Sequence, residues 1–162
     1  MDNVIFEDNS IEVIGLLEET ILNALEECAA ELESATKRNT SVGKISGGKT
    51  KGSWRHVIDD ETYTAYIGNP LETAIWLEYG TGEYALNGDG RKGGWYIPIG
   101  NGEGMISEAV ANAYGFKVVN GKDGMKYAHT YGMHPQRPLF KSFNDNKEKI
   151  IKHIENELKG MK

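Results

Sequence analysis

The segment from Gly43 to Thr50 reads GKISGGKT and fits the pattern G-x-x-x-x-G-K-[ST] of a phosphate-binding loop. In such a loop, backbone N–H groups and the lysine hold the phosphates of a nucleotide. The loop must follow a buried strand and lead into a helix whose N-terminus faces the phosphates. The sequence predicts neither neighbour, because an amphipathic helix precedes the segment and strand-forming residues follow it closely. It favours a surface loop rich in Gly and Lys, with a small P-loop nucleotide-binding enzyme as the alternative of another class.

Other residues that could do chemistry are scattered along the chain. His129 and His134 form a weak pair across a Gly-containing turn, whereas a metal site usually takes more ligands. The adjacent acids at positions 59–61 are expected at the tip of a hairpin, where such residues are solvated. Cys28 lies on the apolar stripe of the first helix, which predicts a buried thiol. We therefore predict no catalytic residue, no metal, no cofactor and no enzymatic activity.

The length and composition are those of one soluble domain, which we predict to span residues 1–162. The formal net charge of −6 argues against a dedicated DNA-binding module, which needs Lys and Arg to neutralise phosphates. No apolar run approaches membrane-spanning length, and the N-terminus is acidic where a secretory signal would be basic. We expect no membrane association and a location in the cytoplasm where the chain is made.

The first half of the chain has a helical pattern followed by strand patterns. Apolar residues return every three or four positions from Ile11 to Ala35, which predicts a long N-terminal helix. Residues 41–52 are rich in Gly, Ser, Thr and Lys and predict a long flexible loop. The β-branched and aromatic residues from Val57 to Ile67 predict two short strands. Residues 71–78 then have the composition of a short helix.

The second half predicts a glycine-rich loop, three strands and two helices. Residues 85–94 form the predicted loop, and WYIPIG after it is a predicted strand. SEAVANAYG predicts a brief helix closed by Gly115, and a hairpin is expected around NGKDG. Apolar residues return at helical spacing from Phe140 to Leu158, which predicts a C-terminal helix. The order predicts an α+β fold, in which the two long helices pack on one face of an antiparallel sheet.

Three short segments carry a family resemblance. TKGSWR at residues 50–55 resembles, with one residue inserted, a T-G-x-L-R segment that follows the first helix of one family. WLEYGTG at residues 76–82 matches that family's aromatic or apolar pair followed by E-[FY]-G-T-G. PQRPLF at residues 135–140 is similar to the P-x-P-F-[LF] element that opens its last helix. The family comprises tail components of long-tailed double-stranded DNA bacteriophages and related prophages.

The resemblance implies a structural protein of the phage neck or tail. Its expected role is tail completion or head-tail joining within a ring of identical subunits, for which we expect six-fold symmetry. Neighbouring neck, tail-terminator or tail-tube proteins are the expected partners, and DNA is met only in transit. The expected location is the virion, after assembly from the host cytoplasm. A head-side minor capsid or head-closure protein is the alternative within the structural class.

The motif residues are candidates for an interface or a structural framework. They are Lys49, Lys51, Trp54, Arg55, Trp76, Glu78, Tyr79, Gly80, Thr81, Gly82, Pro138, Leu139 and Phe140. Glu78 lies at the expected end of a short helix, where the helix dipole disfavours a carboxylate. We therefore expect Glu78 to have a specific partner, and Arg55 is the predicted one. The two glycine-rich loops are expected to become ordered on a neighbouring subunit.

Overall fold

The computed structural model describes residues 8–43 and 48–160, which form five α-helices and five β-strands. The helices are α1 (Ser10–Asn39), α2 (Lys49–Gly52), α3 (Glu72–Tyr79), α4 (Glu108–Tyr114) and α5 (Pro138–Gly160). The strands are β1 (Arg55–Asp59), β2 (Thr64–Gly68), β3 (Trp95–Pro98), β4 (Lys117–Asn120) and β5 (Lys126–Thr130). These elements confirm the α+β class, with a long helix near each end of the described chain.

The strands form two sheets, where the sequence predicted one. β1 and β2 pair antiparallel from Arg55↔Gly68 to Asp59↔Thr64. The other three strands are antiparallel in the order β3-β5-β4. The prediction of one shared sheet under both helices was wrong, because strand patterns indicate local hairpins but not whether two hairpins join. After β2 the chain turns at Asn69, whose Oδ1 accepts the Leu71 N–H at 3.0 Å, and enters α3.

The contacts group the chain into two compact units. Unit 1 contains Met1–Ala35, Arg55–Gly68 and Ser142–Lys162, and unit 2 contains Thr36–Trp54 and Asn69–Lys141. The helices α1 and α5 each contribute residues to both units. That residues 1–162 form a single domain stays a prediction.

The core of unit 1 includes the apolar stripe of α1. Its buried members return at spacings that place them on one side of the helix: Ala24, Cys28, Ala29, Leu32 and Ala35. The buried thiol predicted at Cys28 is confirmed. Two contacts connect α1 to α5 in this unit, His153 Nε2 to Glu27 Oε2 at 2.9 Å and Lys149 Nζ to Glu31 Oε1 at 3.8 Å.

His56 of β1 is held between two carboxylates of α1. Its Nδ1 lies 2.6 Å from Glu33 Oε2 and its Nε2 lies 3.0 Å from Glu26 Oε1. Its backbone N–H also donates to Glu33 Oε2 at 2.9 Å. A neutral imidazole has only one ring N–H, so only the protonated ring donates to both acids. Glu26, and then Glu33, raise the pKa of His56 above its ordinary value, although partial burial opposes them.

The core of unit 2 is the three-stranded sheet and α4. Ala128 in the central strand β5 is fully buried, and α4 buries Ala111 completely. The Oγ of Ser107 accepts the Val110 N–H at 3.2 Å and caps the start of α4. Gly115 ends α4 with a left-handed φ of 71°, which confirms the short helix that we predicted there.

The segment predicted as a loop before β1 contains the helical turn α2. Thr50 is fixed from two directions, because its Oγ1 lies 2.7 Å from Thr73 Oγ1 and its carbonyl accepts Asn69 Nδ2–H at 2.8 Å. The prediction of a loop is therefore wrong for Lys49–Gly52, and composition did not reveal these distant partners. Residues 44–47 of the predicted loop lie outside the described residues.

Across residues 8–43 and 48–160, no helix combines the length and the apolar character that crossing a membrane requires.

Candidate functional site

Two of the three motif segments lie side by side in unit 2. The Thr81 N–H donates to the Met133 carbonyl at 2.8 Å, and the Met133 N–H donates to Thr81 Oγ1 at 3.0 Å. The Gln136 N–H donates to the Leu77 carbonyl at 2.8 Å. Residues 77–83 and 131–140, joined by these bonds, are called the motif junction below. The segments that carry the resemblance therefore form one connected framework.

The glycines of the E-Y-G-T-G sequence fit this framework for steric reasons. Gly80 has a φ of +74°, and a Cβ there would lie 2.8 Å from the Met133 carbonyl oxygen. Gly82 has a φ of +62°, and a Cβ there would overlap the Tyr131 carbonyl oxygen. Both positions need a left-handed backbone and a close approach of a second chain segment, which only glycine allows without strain. These two glycines therefore belong to the structural framework of the motif junction.

Glu78 lies in the last turn of α3 and caps the start of α5. Its Oε2 accepts the Leu139 N–H at 2.9 Å, and its Oε1 accepts the Phe140 N–H at 3.1 Å. These amides belong to the first turn of α5, where backbone N–H groups lack helical partners and the dipole favours a negative charge. The positive N-terminal end of α5 thus compensates the negative charge at the C-terminal end of α3.

That Glu78 pairs with Arg55 stays a prediction. Both carboxylate oxygens bind backbone amides, whereas Arg55 is an exposed residue of β1 in unit 1. The helix-dipole argument correctly indicated that Glu78 needs a specific partner. It did not identify the partners, because they are backbone N–H groups of a helix that begins 60 residues later, and side-chain types do not reveal them.

The residue before α5 has an unusual backbone conformation. Arg137 has a φ of +56° although it is not glycine and it precedes Pro138. Its N–H points to the Leu77 carbonyl at 3.2 Å, and its guanidinium carbon lies 3.4 Å from the centre of the Phe140 ring. Those contacts offset a conformation that costs on the order of 1–3 kcal/mol. Pro138, which is buried, begins α5 at the position where its missing N–H does no harm.

A groove in unit 2 contains residues of all three motif segments. It is lined by Ser41, Val42, Gly43, Thr50, Lys51, Thr73, Trp76, Leu77, Tyr114, Met133 and Gln136. Trp76 and Tyr114 are each 43% exposed, so the groove presents aromatic surface to its surroundings. Lys51 adds a positive charge. We call this feature the aromatic groove.

The remaining motif residues occupy different places. Trp54 is buried, and its Nε1–H donates to Thr40 Oγ1 at 2.9 Å, so it belongs to the packed interior of unit 2. Lys49 is exposed on α2. Tyr79 is 49% exposed at the end of α3, where its carbonyl accepts the Leu86 N–H at 2.8 Å. The candidates therefore divide into a buried framework and an exposed groove.

Sequence reasoning missed an array of aromatic rings in unit 2. Tyr84 stacks on His134 with ring centres 3.7 Å apart. The His129 ring lies 4.6 Å from that of Tyr96 and 4.7 Å from that of Tyr131. The period-two order of rings in KYAHTY was the signal that could have found the second cluster.

The structure also places the groups that we weighed for catalysis or metal binding. Asp59 Oδ1 accepts the N–H groups of Glu61 and Thr62, which confirms the predicted acidic turn. Burial, and then the charge of Glu27, raise the pKa of the Cys28 thiol, which disfavours the thiolate. No group of three or more His, Cys, Asp or Glu residues suited to a metal occurs within residues 8–43 and 48–160.

The local geometry around the GKISGGKT segment differs from that of a phosphate-binding loop. The element before it is α1 rather than a strand, and the helix that begins at Lys49 has four residues. A single turn aligns too few N–H groups to provide the helix N-terminus of such a site.

Comparison with known proteins adds no relative. The chain matches no family model, and it has no significant similarity to a curated protein or to a solved structure.

Proposed function

We propose that this chain is a non-enzymatic structural subunit of a phage neck or tail, which assembles into a ring and takes part in tail completion or head-tail joining. The proposal begins from the three motif segments in the sequence. Residues from all three line one groove, and two of the segments hydrogen-bond directly to each other. Because the segments are hydrogen-bonded to each other, they can hold the residues of the groove in place for a partner to bind.

The division of charge between the units is the observation that best supports assembly. Unit 1 contains 17 Asp and Glu residues against 6 Lys and Arg, a net charge of −11. Unit 2 contains 7 Asp and Glu residues against 12 Lys and Arg, a net charge of +5. Oppositely charged surfaces on one chain favour head-to-tail contacts between copies, and such contacts close into a ring when the rotation permits.

Exposed apolar residues in both units provide surface that such contacts can bury. In unit 1, the cross-strand pair Val57 and Tyr66 is 59% and 58% exposed. In unit 2, Ile75 is 59% and Tyr96 is 60% exposed. Tyrosines are enriched among the few residues that carry most of the binding energy in protein interfaces, and the aliphatic residues add apolar area around them.

A deletion experiment in the phage or prophage that carries the gene tests the proposal. Deleting the gene in frame should abolish infectious particles, and a plasmid copy should restore them. A tail completion or joining role predicts DNA-filled heads and separate tails in electron micrographs. Heads that have lost their DNA would support the alternative, a head-side or head-closure protein. Absence of the chain from gradient-purified virions, or a full yield of particles after deletion, would overturn the proposal.

A further inference from the structure

The first turns of α1 are exposed on every side. Each residue from 8 to 19 is exposed, and Ile11 is 86% exposed. Five large apolar side chains lie in this stretch: Ile11, Val13, Ile14, Leu16 and Leu17. We call residues 10–17 the α1 arm. The arm extends a helix that is packed farther along, and its apolar side chains stay exposed, so they form a surface that a partner could cover.

The arm continues the apolar stripe that is buried farther along α1. Ile11, Ile14 and Leu17 precede the half-buried Ile21 and Leu25 on the same side of the helix. Glu12 falls on the opposite side, and Glu18 and Glu19 follow the arm directly. The arm is therefore a largely apolar helical segment with acids around it, and such a segment binds in an apolar groove through residues three and four positions apart.

The aromatic groove has the matching chemistry. Its exposed apolar residues include Val42 at 52%, together with Trp76 and Tyr114. Lys51 lines the groove, and Lys49 is exposed on the same short helix. The arm would place its apolar side chains against the aromatic surface and the acids around it near these lysines.

Charge also distinguishes between two ways of pairing copies. Two arms packed against each other would bring together unit 1 of both copies, each with a net charge of −11, which is repulsive. An arm in a groove instead joins unit 1, with a net charge of −11, to unit 2, with a net charge of +5. The head-to-tail arrangement is therefore favoured.

We propose that the α1 arm of one copy binds in the aromatic groove of a second copy. The inference rests on the proposed self-assembly and names the two surfaces that carry it. Each copy then offers one arm and one groove, so the contact repeats from copy to copy and produces a closed ring or an extended chain.

Two variants separate the surfaces. The arm variant carries Ile14→Asp and Leu17→Asp, and the groove variant carries Val42→Glu and Lys51→Glu. Sedimentation velocity at low salt, over a concentration series up to the millimolar range, should show self-association of the unmodified chain that weakens with added salt. Each variant should weaken self-association by about a hundredfold or more.

Mixing the two variants is the decisive step. The arm variant keeps its groove and the groove variant keeps its arm, so an equimolar mixture should form a heterodimer that grows no further. Pairing between arms predicts no such heterodimer, because the groove variant would then associate with itself. That result, or an unmodified chain that stays monomeric throughout the series, would overturn the inference.

Matched controls place the same chemical changes outside both surfaces. Ile151→Asp with Leu158→Asp removes two exposed apolar residues of unit 1, and Leu86→Glu with Lys122→Glu repeats the groove changes elsewhere in unit 2. For both controls, the dissociation constant for self-association should lie within about threefold of that of the unmodified chain. Loss of association in these controls as well would show that total charge, rather than the arm and the groove, governs assembly.

Folding and virion content keep the outcomes distinct. Circular dichroism should show unchanged helix content in each variant. If a double variant fails to fold, a milder single variant replaces it: Ile11→Asp for the arm or Lys51→Glu for the groove. A heterodimer formed by a chain that is missing from purified virions would leave the inference standing and overturn the proposed function. A chain found in virions whose variants do not complement each other would do the reverse.

Discussion

The cap that Glu78 places on α5 leads to a quantitative prediction for stability. Glu78→Ala removes two acceptors from the amides of Leu139 and Phe140. Loss of a helix cap costs about 0.5–2 kcal/mol, and the lost dipole interaction adds about 0.3–1 kcal/mol. Phe140 is exposed, so water can satisfy part of the loss. We expect the free energy of unfolding to fall by about 2 kcal/mol.

Two further variants separate the charge of Glu78 from its hydrogen bonds. Glu78→Gln keeps one carbonyl oxygen and should cost about 1 kcal/mol. Glu83→Ala is the matched control, because the Glu83 carboxylate accepts a single backbone N–H, that of Gly93, at an exposed position outside a helix terminus. We expect it to cost less than about 1 kcal/mol.

Urea unfolding and amide hydrogen exchange measure these effects. Exchange of the Leu139 and Phe140 amides should accelerate in Glu78→Ala and stay unchanged in the control. The reasoning would be refuted if Glu78→Ala and Glu83→Ala lowered stability equally, or if exchange at the start of α5 did not respond.

Three further predictions concern pH, nucleotide binding and the buried Trp54 hydrogen bond. Because Glu26, with Glu33, raises the folded-state pKa of His56, its contribution to stability should be complete below the unfolded pKa of about 6.5 and lost as pH rises through the folded value. Melting curves between pH 5.5 and 9 should show this loss, and His56→Gln should remove it. Isothermal titration with ATP and Mg²⁺ should give no heat, whereas micromolar binding abolished by Lys49→Ala would establish the nucleotide alternative. Thr40→Val should cost about 1–3 kcal/mol in urea unfolding by leaving Trp54 Nε1–H unpaired, and it should cost less in a chain that already carries Trp54→Phe, which has no N–H to leave unpaired.

Short-range patterns predicted the elements of this fold well. The three-and-four spacing located α1, and the turn sequence NGKDG located the β4–β5 hairpin. Gly115 marked the end of α4 because a left-handed residue closes a helix. In each case the residues that determine the element lie within a few positions of it, so the sequence carries the information locally.

Partners that are distant in sequence were not predictable in the same way. Glycine-rich composition concealed α2, which is fixed by the contacts of Thr50 with Thr73 and Asn69. The resemblance identified Glu78 as important, but its partners are backbone amides, which every residue except proline carries. The two carboxylates around His56 come from positions 23 and 30 residues earlier on α1. Such choices depend on how elements pack, which local periodicity does not encode.

The distance along the chain between Glu78 and its amides sets the order of events during synthesis. Leu139 follows Glu78 by 61 residues, and closing a loop of that length costs roughly 4 kcal/mol of chain entropy. During synthesis, α3 is therefore complete well before the amides of α5 that bind Glu78 are available. Chains that stop before residue 139 carry an uncompensated Glu78, so truncation destabilises α3 in addition to removing α5. A truncated chain is thereby left with a defective motif junction, which makes it more susceptible to proteolysis than the full chain.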